Sequence, residues 1–368
     1  MKKQLKDVCE GFTKNIAQKD LSENNGKYPI FGASGIIKTI DFYISDKPYI
    51  GIVKDGSGVG RTNKYPAKSS LLGTMQYILP NQGIDLDYLM YGIRSLHLGE
   101  NYSGAAIPHI YFKVYKNRTL DFPELAEQKQ RSIVLNKIQD AINVKEKQLF
   151  ELENIIQSEF VEMFGENPVE SGKWKVEKIA SVVDKNILSV KKKFQKTDTI
   201  KYVDISAIDN ISNVVTGFTE YVLLEAPSRA QQVINQNDIL ISTVRPNLRN
   251  IAINPFNDNF MVGSSGFCVL RVNDLCNAKY LFYCVLNDDF TNAMVDLTTG
   301  AAYPAIKDSD ILAYPIALPP LDLQNQFAAF VQQIDKSKFV LQQQLKKKKK
   351  YVIMTSWRKI CFYTTVAM

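Results

Sequence analysis

"SGAAIPHI" occupies residues 103–110, and "TGAAYPAI" occupies residues 299–306. The two phrases stand 196 residues apart, and the echo continues at that offset without a gap. Phe122-Pro123 falls on Leu318-Pro319, Leu125 on Leu321, Gln128 on Gln324, Gln130 on Gln326, Leu135 on Val331 and Ile138 on Ile334. Upstream, "DYLMYGI" at 87–93 answers "KYLFYCV" at 279–285, and "GTMQYIL" at 73–79 answers "GSSGFCV" at 263–269. There the offsets drift to 192 and 190, as loop insertions would make them. The chain reads as a tandem duplication, with too few copies for a solenoid. A plain two-domain duplication without functional symmetry stays open at this point.

Composition is that of an ordinary globular protein, at 45% hydrophobic and 11% aromatic. No apolar run reaches the ~18 residues of a membrane span. The start "MKKQLKDVCEGF" is basic but lacks an apolar stretch, so no signal peptide is read there. Cys9, Cys268, Cys276, Cys284 and Cys361 have no metal-ligand spacing and read as buried thiols of a cytoplasmic protein. The net charge of +7 is misleading, because residues 346–368 hold seven basic residues and no acid. The remainder sums to zero, so the placement of charge must carry any argument about nucleic acid.

Each copy closes with a helix. Residues 121–165 have proline only near the start, at Pro123, and glycine only at the end, at Gly165, as a helix requires. Leu135, Ile138, Ile142, Leu149, Leu152, Ile156 and Met163 keep heptad spacing. About forty helical residues span roughly 60 Å, so the helix is expected to pack on another long one, at residues 321–350. This first helix has nine acids and five bases, which suits a spacer and protein-docking surface better than a phosphate contact.

The globular stretches 1–120 and 166–320 read as α/β or α+β domains on short strands. "PYIGIVKDGSGVGRTNKYP" at 48–66 reads as strand, loop, strand, and "DILISTVRPNLRNIAINP" at 238–255 is its counterpart. The first loop holds Lys54, Ser57, Arg61 and Lys64, the second Thr243, Arg245, Asn247 and Arg249. Arg and Asn make the bidentate hydrogen bonds that read G and A edges, and glycines allow close backbone approach. A tight hairpin with no ligand is the plainer reading. The glycine loop has neither the spacing nor the Lys-Ser/Thr ending of a phosphate loop. "SVKKKFQKTDTIKYVDI" adds Lys191, Lys192, Lys193 and Lys196, either a solvated loop or a phosphate clamp. His97 and His109 show no partner pattern and read as packing or loop residues.

Two diverged domains, each followed by a long helix, resemble the specificity subunit of Type I restriction–modification systems. The resemblance rests on "YPIFGASG" at 28–35, "YIGIVKDGSGVGR" at 49–61, "ISTVRPNLR" at 241–249, the paired G-A-A-x-P-x-I phrases, and "FPELAEQKQ" with "LPPLDLQNQ" opening the helices. It implies two tandem-duplicated target-recognition domains, separated by a long antiparallel two-helix coiled coil with pseudo-twofold symmetry. It implies double-stranded DNA as ligand, with each domain reading half of a split sequence. Two methyltransferase subunits would dock on the helices, and Glu127, Gln128, Leu135, Ile138, Ile142 and Gln324 are the residues expected to meet them. Motor-nuclease subunits would join through these. No cofactor is expected on this chain; S-adenosylmethionine, ATP and magnesium would sit on the partners. The repeat then has a reason: the domains diverge to read different half-sites, while the helices stay alike to meet identical partners.

After Leu345 the second helix loses its likeness to the first. Five lysines at 346–350 imply an adenine-rich tract, and the atypical tail at 351–368 is read as a reading-frame change or as a genuine basic tail. On the first reading, Leu152, Ile156 and Met163 are expected to lack mates. Two other function classes remain open: an enzyme with unrecognised motifs, which would bind S-adenosylmethionine or metal, and a coiled-coil adaptor, which would not bind duplex DNA.

Overall fold

Tyr49–Val53 is buried along its whole length, which explains why "YIGIV" is continuously apolar rather than alternating. The computed structural model describes residues 1–100, 102–104, 107–184, 186–210, 212–299 and 304–355, with side chains to Lys349. Parts of both repeated phrases (105–106 and 300–303) and the tail from 356 onward lie outside the described residues. The chain divides into two units, one formed by Met1–Leu149 with Val340–Met368, the other by Phe150–Phe339.

In the first unit Tyr49–Val53 pairs antiparallel with both Thr62–Tyr65 and Met75–Pro80, and Cys9–Phe12 completes a four-stranded sheet. A smaller three-stranded sheet joins Tyr28–Gly32, Gly35–Ile40 and Ser70–Leu71. In the second unit Ile239–Ser242 pairs antiparallel with Ile251–Ile253 and Phe267–Leu270. These are the counterparts of the first three strands. The duplication is therefore one of structure, and in both copies the basic stretch joins two adjacent strands, as expected. A four-stranded sheet of Thr219–Val222, Thr199–Val203, Met261–Ser264 and Ala230–Val233 repeats the three-stranded sheet of the first unit, with one antiparallel and one parallel neighbour for its central strand Thr199–Val203, and adds Ala230–Val233. Pairing is mostly antiparallel, so each unit is of the α+β kind. A two-stranded ribbon closes each copy: Lys2–Gln4 with Thr119–Asp121, and Lys175–Lys178 with Pro315–Leu318.

The first long helix runs over Leu125–Phe164, 40 residues, and ends at Gly165 with φ +102°. A residue with a Cβ is disfavoured there, so the glycine stops the helix where the sequence places the stop. The second long helix runs over Leu321–Thr355, 35 residues, straight through the five lysines. Within the second unit the helices run antiparallel, for Glu153 Oε2 meets Lys338 Nζ at 2.5 Å while Phe160 and Phe164 both stack edge-on to Phe327. Tyr280 and Tyr283 join this aromatic cluster. Within the first unit Lys145 Nζ donates to Gln344 Oε1 at 2.5 Å and Lys349 pairs with Glu146 at 2.7 Å.

The expectation for the end of the first helix is overturned. Ile156 is fully buried, and Leu152 and Met163 are half-buried. In an antiparallel pair the last turns of the first helix meet the first turns of the second, Phe327 and Val331, and not its tail. Of the described residues that follow Leu345, Lys349 pairs with Glu146 of the first helix, within the first unit.

Candidate nucleic-acid interface

The described ends of the repeated phrase are joined in the same way twice. Ser103 and His109 exchange backbone hydrogen bonds of 3.0 and 2.7 Å, and Thr299 and Ala305 exchange bonds of 3.0 and 3.1 Å. Each closed turn then fastens onto the basic loop of its own unit. In the first, Ile110 N donates to Lys54 O at 2.8 Å and Gly56 N to Pro108 O at 3.0 Å. In the second, Ile306 N donates to Thr243 O at 2.9 Å and Arg245 N to Pro304 O at 2.8 Å. The phrase is thus a buckle that fixes the root of each loop by main-chain bonds, which depend little on side chains, so the loops above it are free to differ.

Gly56 and Arg245 hold equivalent places in this pattern, and both have positive φ, at +92° and +51°. Arg249 is also left-handed, at +52°. Such a backbone costs a residue with a Cβ of order 1–3 kcal/mol, and residues held this way cluster at functional sites.

The sequence candidates differ in how far they reach solvent. Ser57, Arg245 and Asn247 are exposed. Arg61 is exposed too, with Nη1 donating to Ala33 O at 3.1 Å. Lys54 is tied to Asp55 at 2.5 Å, and Lys64 to Asp87 at 2.5 Å. Thr243 Oγ1 donates to Gly266 O at 3.1 Å. Arg249 lies against the helix Asp288–Asp296, with Nε donating to Thr291 Oγ1 at 3.0 Å and Nη2 paired with Asp288. Lys191, Lys192, Lys193 and Lys196 are exposed. They sit around a one-turn helix, Val190–Lys193, whose Val190 packs with Ile200, Tyr202 and Val262, a core apart from the one under the Arg245 loop. Lys193 Nζ donates to Asn259 O at 2.6 Å.

Sequence reasoning missed one pair. His109, read as packing or loop, donates from Nδ1 to Asp55 Oδ1 at 2.7 Å. Burial alone would raise the Asp55 carboxyl, but hydrogen bonds and charge from Lys54 and His109 win and hold it below its ordinary value. The second unit has Val244 and Ala305 at these places, so the pair belongs to the first copy alone. No local signal could have found it, because the partners lie 54 residues apart.

The helix candidates divide similarly. Gln128 and Gln324, expected at a partner surface, are 2% and 0% exposed and make their bonds within their own units. Leu135 and Ile142 are buried, and Ile138 is half-buried. Glu127 is exposed and paired with Arg131. Apolar side chains that do reach solvent on this helix include Ile133, Val134, Val144 and Phe150. Heptad reading cannot separate a seam facing one helix from a face left open.

A sheet built twice, each time carrying a buckled basic loop and each time followed by a long helix, defines a tandem-domain protein with two related recognition surfaces. The model of the Type I restriction modification DNA specificity domain matches residues 1–154 and again residues 171–349, and the chain belongs to that family. It is similar to the Type I restriction enzyme MjaVIII specificity subunit of Methanocaldococcus jannaschii, 25% identical over 317 residues that span 76% of this chain and 71% of that protein. The S subunit of a Type-I restriction-modification system from M. genitalium shares the fold, with a TM-score of 0.53 over 98% of this chain and 96% of that one, at 14% identity. The HsdS subunit from Thermoanaerobacter tengcongensis is 30% identical with a TM-score of 0.42, a match spanning 50% of this chain and 48% of that one.

Proposed function

We propose that this specificity subunit reads a two-part DNA sequence, one half with each unit, and has no active site of its own. The observation that carries this reading is the equivalent buckling of two different basic loops by one repeated phrase. A fixed root with a variable tip suits two half-sites of different sequence. Arg61 in the first loop, and Arg245 with Asn247 in the second, are exposed and are the side chains offered to base edges. Ser57 and the lysines Lys191, Lys192 and Lys196 are offered to phosphates, which position the protein without reading sequence. Lys54, Lys64, Lys193 and Arg249 act as internal ties of the surfaces that carry them.

The long helices would space the two half-sites and dock two methyltransferase subunits, with motor-nuclease subunits assembled through these. Exposed Ile133, Val134, Val144 and Phe150 are the docking residues, in place of the buried glutamines. S-adenosylmethionine, ATP and magnesium would belong to those partners. Titrating the chain into duplex DNA at several salt concentrations tests the reading. Affinity should fall steeply with salt, and Arg61→Ala and Arg245→Ala should each weaken binding to the selected sequence more than to random duplex. Salt-independent or absent duplex binding, or binding of S-adenosylmethionine by the isolated chain, would refute it.

A further inference from the structure

Gln128 and Gln324 stand at the same place in the repeat, and their bonds match nearly atom for atom. Gln128 Oε1 accepts from Asp85 N at 3.0 Å, while Nε2 donates to Pro123 O at 2.8 Å and to Gly83 O at 3.4 Å. Gln324 Oε1 accepts from Asn277 N at 2.9 Å, while Nε2 donates to Pro319 O at 2.8 Å and to Leu275 O at 3.4 Å. Both amides are buried, so these bonds are made away from competing water. In each unit the residue so gripped caps a short helix. Asp85 Oδ1 accepts from Tyr88 N at the start of Leu86–Arg94, and Asn277 Oδ1 from Lys279 N at the start of Ala278–Val285. The neighbouring contacts are not kept: Asn136 Nδ2 donates to Asp87 in the first unit, and Lys279 pairs with Asp335 in the second. The glutamine bridge is common to both, together with one tyrosine bond, Tyr88 Oη donating to Asp121 O at 3.0 Å and Tyr280 Oη to Ala317 O at 2.8 Å.

The short helices lead on to the reading loops, by a different route in each unit. In the first, Arg94 at the end of its helix donates from Nε to Thr62 O and from Nη2 to Asn63 Oδ1, both at 2.9 Å, which holds the strand leaving the loop. In the second, the next helix, Asp288–Asp296, holds Arg249 through Asp288 and Thr291. From the first turn of each long helix to its basic loop there is thus a continuous run of bonds and short helices, buried or half-buried except where Arg249 meets Asp288 at the surface, and it starts at the glutamine.

We infer that Gln128 and Gln324 are positioning residues for recognition: they lock each reading loop to its long helix and so set how strictly the spacing between the two half-sites is enforced. The inference rests on the DNA-reading function proposed above. A base pair added to a spacer moves a half-site by about 3.4 Å along the duplex. A loop rigidly tied to its helix cannot follow such a step, whereas a loosened one can. The glutamines touch no DNA, so half-site sequence should be indifferent to them.

The experiment is selection of bound duplexes from a pool randomised in sequence and in spacer length, with the full chain and with Gln128→Met, Gln324→Met and both together. Methionine keeps the length of the side chain and removes its strong hydrogen bonds. The unaltered chain is expected to prefer one spacer length, rejecting neighbours by about tenfold, the scale of one poorly accommodated base pair. In the variants the same half-sites should be recovered with adjacent lengths now accepted, most widely in the double variant. Folded variants that keep the single spacer length would overturn the inference, as would variants that change the half-sites. An unaltered chain without sequence-specific binding would overturn the DNA-reading function and this inference with it, an outcome distinct from either of those. Hydrogen exchange on the unaltered chain provides a second test that needs no variant to fold. The Asp85 and Asn277 amides should exchange as slowly as those of the long helices, and exchange at open-loop rates would contradict the bridge.

Discussion

Arg245 keeps φ at +51° where its counterpart, Gly56, reaches +92° without a Cβ to accommodate. The second copy therefore tolerates strain to place an arginine at the loop root, and the strain is what the sequence conceals: a glycine-free "TVRPNLR" gives no hint of left-handed backbone. Arg245→Gly should be more stable than Arg245→Ala by about 1 kcal/mol, because alanine keeps the strain and glycine removes it. Both should lose about 1–3 kcal/mol of discrimination at one base pair. Equal stability of the two variants by chemical denaturation would show that the backbone there is not strained. In the first copy Asp55 gives a pH signature. Its carboxyl is held below the ordinary value by Lys54 and His109. A carboxyl lowered by folding contributes stability above its unfolded pKa of about 3.9, and loses it as pH falls through the depressed folded value. Asp55→Asn should lower the melting temperature at neutral pH, and the gap to the unaltered chain should close in acid below about pH 4. A gap that is constant with pH would deny the carboxylate this role.

The two long helices were legible from length, the placement of Pro123 and Gly165, and the heptad alone. Their burial was not. Gln128 and Gln324 look like surface residues of an acidic helix until the loops Gly83–Asp85 and Leu275–Asn277 are seen folded over them, and nothing local in the sequence brings those loops there. Antiparallel packing likewise changes which residues are mates: Ile156 is buried beside Phe160, Phe327 and Val331. Four residues inserted in the first helix, with four in the second to keep the pairing, add about 6 Å. The preferred spacer should lengthen by about two base pairs at unchanged half-sites. Selection that returns new half-sites at the old spacer would contradict a spacing role.

At the scale of the whole molecule, the repeat was the most informative signal, because a fixed offset between distant phrases does not depend on propensity. The pair of strands around each loop was read in both copies, while the third strand and the choice of α+β over α/β came only with the sheet pairing. The divergent parts were not legible: the strand Ala230–Val233, which the second unit adds to its copy of the small sheet, has no counterpart from which it could be read. The four described cysteines are buried, as composition suggested, and Cys361 lies outside the described residues. Burial pushes the Cys9 and Cys276 thiols up to about 12, and those of Cys268 and Cys284 higher still. An alkylating reagent at pH 8 should leave all four unmodified until the chain unfolds, whereas modification of Cys284 in the folded protein would show an opening that the structure does not contain.

Two half-sites assigned to two loops can be tested in one measurement, by sequencing the duplexes that the chain retains from a random pool, alone and with Arg61→Ala or Arg245→Ala. The expected result is a pair of short motifs separated by an unspecified spacer of fixed length, with Arg61→Ala degrading one motif and Arg245→Ala the other. A single continuous motif, or both substitutions degrading the same half, would contradict the assignment of one half-site to each unit.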